Sequence, residues 1–205
     1  LLMVTRALVR RVELALRRSV TLADLMEQLD EVHGPATFVT EELSPGRIRT
    51  LTYLEAARQV ERWSVAVAAR SVPGRPVVVA TPNGVDQFLV CLAVARAGGL
   101  PAPVNPQMSE AEVDHVIADS GATLVIRDAS ELDSGKGSRS APTVAARPAP
   151  GDIAALFYTS GTTGRPKGAE LSHRALVGQV AAAAAWPFVL RHDEIVMALP
   201  VAHIM

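Results

Sequence analysis

The chain has 205 residues, with 20 Lys+Arg against 21 Asp+Glu and a formal net charge of -1. That balance argues against nucleic-acid binding through a basic surface, because phosphate affinity comes chiefly from neutralising Lys and Arg. A hydrophobic fraction of 49% and a mean hydropathy of +0.22 exclude disorder overall, and with aromatics at 4% the core must be built from Ala, Val and Leu.

At roughly 100–200 residues per domain, one large or two small domains fit this length. The single cysteine, Cys91, cannot close an internal disulfide, which suits a reducing, cytoplasmic setting. No uncharged apolar run reaches the ~18 residues of a spanning helix. The longest candidate, from Ala175 to Leu190, is broken by Gln179 and Pro187.

Segment 1–20 carries Arg6, Arg10, Arg11, Arg17 and Arg18 around Val4, Leu8, Val12 and Leu16, which recur at helical spacing. The arginines interrupt the apolar run that a signal peptide needs. The spacing predicts a basic amphipathic helix, packed on its own domain or resting peripherally on anionic lipid.

Thr21 and Asp24 then predict a helix start, with a short helix running towards Val32. Thr37–Thr40 and Arg47–Thr50 read as strands around the turn Ser44-Pro45-Gly46. Thr52 with Glu55 forms a capping box for a helix continuing to about Arg70. Val77–Ala80 reads as a buried strand, followed after Pro82-Asn83-Gly84 by a helix through Phe88, Cys91, Leu92 and Ala95. Cys91 falls on the apolar face of that helix, so it reads as core. Gly98-Gly99 stops the helix, and Leu100–Val104 gives the next strand. Ser109 with Glu112 caps another helix, Gly121 ends it, and Thr123–Ile126 is a third strand. Strands and helices alternating through short connections imply an α/β fold with parallel βαβ units. From Asp128 to Gly151 the composition turns to Gly, Ser, Pro and Ala and reads as a mobile surface loop.

Order returns with the strand Ile153–Tyr158, and then comes Thr159-Ser160-Gly161-Thr162-Thr163-Gly164-Arg165-Pro166-Lys167-Gly168. These ten residues hold four hydroxyls, three glycines and two cations. A plain connection does not need that inventory, whereas a loop around polyphosphate does. Glycines let backbone N–H groups approach anionic oxygens, hydroxyls donate hydrogen bonds, and lysine supplies a point charge. Lys167 is one of only two lysines among the 20 basic residues. A Walker loop fails here, because Lys167 is followed by Gly168 and Ala169, and a short strand (Ala169–Leu171) precedes the helix that Ser172 caps. A dinucleotide fold fails too, since no G-x-G-x-x-G follows a predicted strand. His173, in the first turn of that helix, reads as structural.

The run from Tyr158 to Gly168 resembles the signature loop of the adenylate-forming, AMP-binding superfamily: acyl-CoA synthetases, luciferases and peptide-synthetase adenylation domains. Leu51-Thr52-Tyr53-Leu54-Glu55, Pro82-Asn83-Gly84, Ala97-Gly98-Gly99, Pro103-Val104-Asn105-Pro106, Leu171-Ser172-His173 and Leu199-Pro200-Val201-Ala202-His203 resemble further family segments in order and spacing. The resemblance runs from about residue 20 to the last residue. It implies an α/β fold: part of the large N-terminal domain, with a signature phosphate loop between two strands. The expected divisions are a basic helix at 1–20, a first α/β portion at 21–127, the loop at 128–151 and the phosphate-loop segment at 152–205.

What the resemblance implies for chemistry is an ATP-dependent ligase. A carboxylate attacks the α-phosphate of ATP, pyrophosphate leaves, and the acyl-adenylate passes to a thiol, usually coenzyme A. Thr159, Ser160, Gly161, Thr162, Thr163, Gly164 and Lys167 would hold the β- and γ-phosphates, with the hydroxyls donating hydrogen bonds. Lys167 would offset charge on the departing pyrophosphate, and His203 would lie near the acyl and nucleotide pockets unless it merely finishes a buried strand. Leu199-Pro200-x-x-His203, with Gly164 and Lys167 intact, resembles the acyl- and aryl-CoA ligase branch, with a fatty acid as the leading substrate class. The Y-G-x-T-E glutamate that holds Mg²⁺, the T-G-D aspartate that binds ribose and the C-terminal domain are absent from these 205 residues. The expectation is therefore an N-terminal portion that is inactive alone. The alternative is a remnant or nucleotide-binding module without turnover.

Overall fold

The structure, a computed structural model, describes residues 20–133, 148–159 and 165–184. The basic segment 1–19, the middle of the 128–151 stretch, Ser160 to Gly164 and His203 lie outside the described residues. Among the described residues, no helix is long and apolar enough to cross a membrane.

The first helix, α1 (Leu25–His33), follows Asp24, but Asp24 does not cap it with its side chain. Its carboxylate turns back and accepts from the N–H and hydroxyl of Thr21, each at 2.9 Å. The hairpin β1 (Thr37–Ser44) and β2 (Arg47–Thr52) is antiparallel and longer than the sequence pattern suggests. Glu41, Glu42, Leu43 and Ser44 extend β1, where the outer residues are mostly exposed and carry no apolar pattern, and Leu51 and Thr52 extend β2. At its turn Gly46 adopts φ 77, a left-handed conformation that costs glycine little. Helix α2 (Tyr53–Ala68) opens on the Thr52/Glu55 capping box, with both reciprocal bonds present.

The parallel unit follows: β3 (Pro76–Val79), α3 (Val85–Arg96), β4 (Leu100–Pro103), α4 (Glu110–Ser120) and β5 (Leu124–Ile126). The strands lie in the order β4-β3-β5. Every residue of β3 is buried, which explains its unbroken Pro-Val-Val-Val sequence: side chains pointing either way meet a covered face. Val77 and Val79 join the core under α2 and α3, whereas Val78 packs with Ala102, Val104, Val113, Val116 and Leu156 on the other side. Helix α3 is buried almost all round, and Cys91 is 8% exposed within it. Gln87, fully buried on the same helix, donates to the carbonyls of Thr81 at 3.2 Å and Val104 at 3.0 Å. It thereby ties together the segments that follow β3 and β4.

Two prolines sit in β4. Leu100 and Val104 donate their N–H groups inward to the carbonyls of Arg75 and Val79, each at 3.0 Å. Pro101 and Pro103 occupy the alternate positions, where an N–H would face away from β3. Strand β6 (Ile153–Thr159) lies on that side and forms a separate antiparallel pair with β7 (Lys167–Ser172). Helix α5 (His173–Ala184) completes the described chain.

The 128–151 stretch departs from a plain loop at both of its described ends. Ala129–Leu132 forms a 3-10 turn capped by Asp128, with Ala129 and Leu132 buried. Asp133 accepts from the indole N–H of Trp63 at 2.8 Å, and Glu131 pairs with Arg70 at 3.1 Å. At the other end, Asp152 accepts from the N–H of Ala149 at 2.7 Å, and the carbonyl of Pro150 accepts from Arg174 at 2.8 Å. A four-residue turn with two apolar anchors leaves too short a pattern for periodicity to detect.

Candidate nucleotide-phosphate site

Strands β6 and β7 hold the two ends of the hydroxyl- and glycine-rich loop. Thr159 faces Lys167 and Tyr158 faces Gly168 in their register. Ala154, Ala155 and Leu156 bury the root of β6, so the pair projects its exposed ends, Thr159 and Lys167, from a fixed base. Directly opposed antiparallel residues have Cα atoms about 4.5–5.5 Å apart. The loop therefore leaves and returns at nearly one point.

The sequence pattern started the second strand at Ala169, but it begins at Lys167. Lys-Gly has little strand character of its own, and pairing with β6 supplies it. That difference places Lys167 on a hydrogen-bonded element instead of within the loop. Its ammonium is exposed, as is the neighbouring Arg165. Thr159 and Lys167 are thus brought together. Ser160, Gly161, Thr162, Thr163, Gly164 and His203 lie outside the described residues.

Helix α4 touches this hairpin at two places that sequence reasoning missed. The hydroxyl of Tyr158 donates to Asp119 Oδ2 at 2.8 Å. His115 Nε2 lies 3.0 Å from the carbonyl oxygen of Pro166. A carbonyl only accepts, so Nε2 carries the proton and donates. Partial burial, reinforced by the Asp119 carboxylate, pushes the Tyr158 phenol up to about 12, so it remains a donor. The signal available in the sequence was the i,i+4 spacing of His115 and Asp119, which places both on one helix face.

Downstream, Ser172 Oγ accepts from the N–H of Ala175 at 3.2 Å, the cap that the sequence suggested. His173 is buried, and its Nδ1 accepts from the N–H of Leu22 at 3.0 Å. Burial lowers its pKa, opposed in part by Asp152 and Asp24. It is a neutral structural link between α5 and the segment before α1.

A threonine hydroxyl and a lysine ammonium at the neck of such a loop suit the phosphates of ATP as a donor set. Among the described residues, no group of three or more His, Cys, Asp or Glu side chains could hold a metal ion.

Residues 27–205 match the family described as AMP-binding enzyme. The chain belongs to that family. It corresponds to the N-terminal portion of these adenylate-forming enzymes. Among curated members, it is 34% identical over 165 residues to a probable nonribosomal peptide synthetase, CymA, of Salinispora arenicola (strain CNS-205), covering 80% of this chain and 2% of that protein. It is 33% identical over 162 residues to a 4-chlorobenzoate–CoA ligase of an Arthrobacter species, covering 67% of this chain and 31% of the ligase. The chain thus spans under a third of either relative. Among solved structures, it superposes on O-succinylbenzoate coenzyme A synthetase (MenE) from Bacillus subtilis, in complex with AMP, with a TM-score of 0.72 at 22% identity. That match covers 87% of this chain and 49% of the synthetase, and it shows a shared AMP-binding-enzyme fold.

Proposed function

We propose that this AMP-binding-enzyme segment is the N-terminal portion of an AMP-forming acid–thiol ligase. The observation that carries the reading is the Thr159–Lys167 pair, which fixes a cation at the mouth of a loop rich in hydroxyls and glycines. A substrate carboxylate oxygen bonds to the α-phosphorus of ATP, and the bond from that phosphorus to its β-bridging oxygen breaks. Pyrophosphate departs with the electron pair. Lys167 offsets the charge that gathers on it, while Thr159, Ser160, Thr162 and Thr163 donate hydrogen bonds to the β- and γ-phosphate oxygens. Such preorganised donors act where charge develops, and losing one good donor commonly costs about 3–4 kcal/mol of barrier. A thiol sulfur then attacks the acyl carbonyl and releases AMP. Mg²⁺, when bound with ATP, supplies further phosphate neutralisation. His203 would border the acyl pocket.

Within that class, Leu199-Pro200-x-x-His203 and an intact Gly164 and Lys167 support the acyl- and aryl-CoA ligase branch with coenzyme A as acceptor, and a fatty acid is the leading substrate class. A second reading, an aromatic acid, is favoured by the similarity to the 4-chlorobenzoate–CoA ligase. Segment 1–20 would give peripheral contact with anionic membrane, which liposome co-sedimentation with and without it would test.

The deciding experiment is ATP–pyrophosphate exchange with short, long and aromatic acids, run on the 205-residue chain and on the enzyme that carries it. Exchange by the longer protein alone, with one acid class, supports the ligase reading and names the substrate. Exchange with no acid leaves a nucleotide-binding module without turnover.

A further inference from the structure

The two residues that flank Lys167 are both held by α4. On one side, the Pro166 carbonyl accepts from His115 Nε2 at 3.0 Å. On the other, the Tyr158 ring lies across Gly168: a Cβ on Gly168 would come within 3.0 Å of the ring carbon Cζ and 3.2 Å of the phenol oxygen. Glycine leaves room for that crossing, whereas a Cβ would push the ring away by a few tenths of an ångström. The same phenol then donates to Asp119 Oδ2 at 2.8 Å. The helix itself is anchored, because Val113 and Val116 are buried against Val78, Ala102 and Val104. Its N-terminus is closed by the Ser109/Glu112 capping box. A rigid path therefore runs from the parallel sheet through α4 to both neighbours of Lys167, and to Thr159 beside Tyr158.

We propose that His115, Asp119 and Tyr158 are positioning residues that set the backbone of Lys167 and Thr159 for binding the phosphates of the nucleotide. This rests on the reading of Lys167 as the phosphate-binding cation. Neither His115 nor Asp119 touches phosphate in this scheme. Asp119 is negatively charged and would repel an anion, and its charge is instead directed at the phenol. The hydrogen bonds serve geometry: displacing a positioned cation by even a fraction of an ångström weakens the directional contacts that an anion makes with it.

The test is titration of the 205-residue chain with inorganic pyrophosphate, read from the amide resonances of Thr159, Lys167 and Gly168 and accompanied by melting curves. Lys167→Ala should abolish saturable shifts. Tyr158→Phe and Asp119→Ala should each weaken binding about three- to ten-fold, the scale of one net hydrogen bond. Their double variant should be no weaker than either single one, because both remove the same link. His115→Ala should weaken binding, and His115→Gln, whose amide can still donate to the Pro166 carbonyl, should restore most of it. A role in stability alone predicts lower melting temperatures with unchanged pyrophosphate affinity, and that result would overturn the proposal while leaving Lys167 in place. If Lys167→Ala binds pyrophosphate like the wild type, or the wild type does not bind, the underlying phosphate-site reading fails and the proposal fails with it.

Discussion

The Glu41 carboxylate, on β1, accepts the backbone N–H of Val85, the first residue of α3, at 3.0 Å. Helix α3 begins after Gly84, which has no side chain to cap it, so a strand from 44 residues earlier performs that task. Arg49 holds Glu41 at 2.7 Å and Asp86 at 3.0 Å, and keeps the carboxylate in place. Glu41→Ala should cost about 1–2 kcal/mol, the range of a lost cap. Gly84 has φ 151, and a Cβ there would press into Glu41. Gly84→Ala should therefore destabilise by at least as much, and urea unfolding of both variants checks the pair.

The buried neutral His173 gives the fold a pH dependence. Its folded pKa lies below the ordinary histidine value of about 6.5, so the native state binds fewer protons than the unfolded chain. The stability contribution is present above the unfolded value and is lost as pH falls through the folded one. Protonation at Nδ1 would set a proton against the Leu22 N–H and a cation at the N-terminal end of α5. Between pH 7 and 5, the wild-type urea midpoint should fall further than that of His173→Asn, whose Oδ1 can still accept from Leu22. Equal slopes would remove His173 as the cause.

Lys167→Ala, in the enzyme that carries this segment, should reduce acid-dependent pyrophosphate release by about ten-fold or more, since transition-state charge loses its counter-ion. Far-UV spectra should be unchanged, because the side chain is exposed. Pyrophosphate release at the wild-type rate would remove Lys167 from the mechanism.

The Cys91 thiol is enclosed by α2, α3 and the sheet, and burial pushes it up to about 12. Native protein at pH 8 should therefore resist alkylation, and reactivity should appear only with unfolding. Cys91→Ser should destabilise by about 1–3 kcal/mol through a buried hydroxyl lacking a partner.

The alternation of strands and helices was legible because each element carries its own period, and the Thr52/Glu55 and Ser109/Glu112 boxes declare themselves within four residues. Asp24 marked the helix start correctly, but a local turn to Thr21 took the carboxylate that would have capped it. The start of β7 was hidden because Lys167 and Gly168 gain strand geometry only from β6. Tyr158 and Asp119 are 39 residues apart, and His115 and Pro166 are 51 apart. Contacts of that range leave no local pattern, so the loop could be read from the chain while its supports could not.

Pro101 and Pro103 give the parallel sheet one sealed margin. With no N–H groups from Pro101 or Pro103 pointing outward, β4 offers a neighbouring strand acceptors without matching donors, and β6 lies on that side without joining the sheet. The margin beyond β5 carries no such block among the described residues. The proline margin thus leaves the β6–β7 hairpin, which carries Thr159 and Lys167, a separate two-stranded unit beside the parallel sheet.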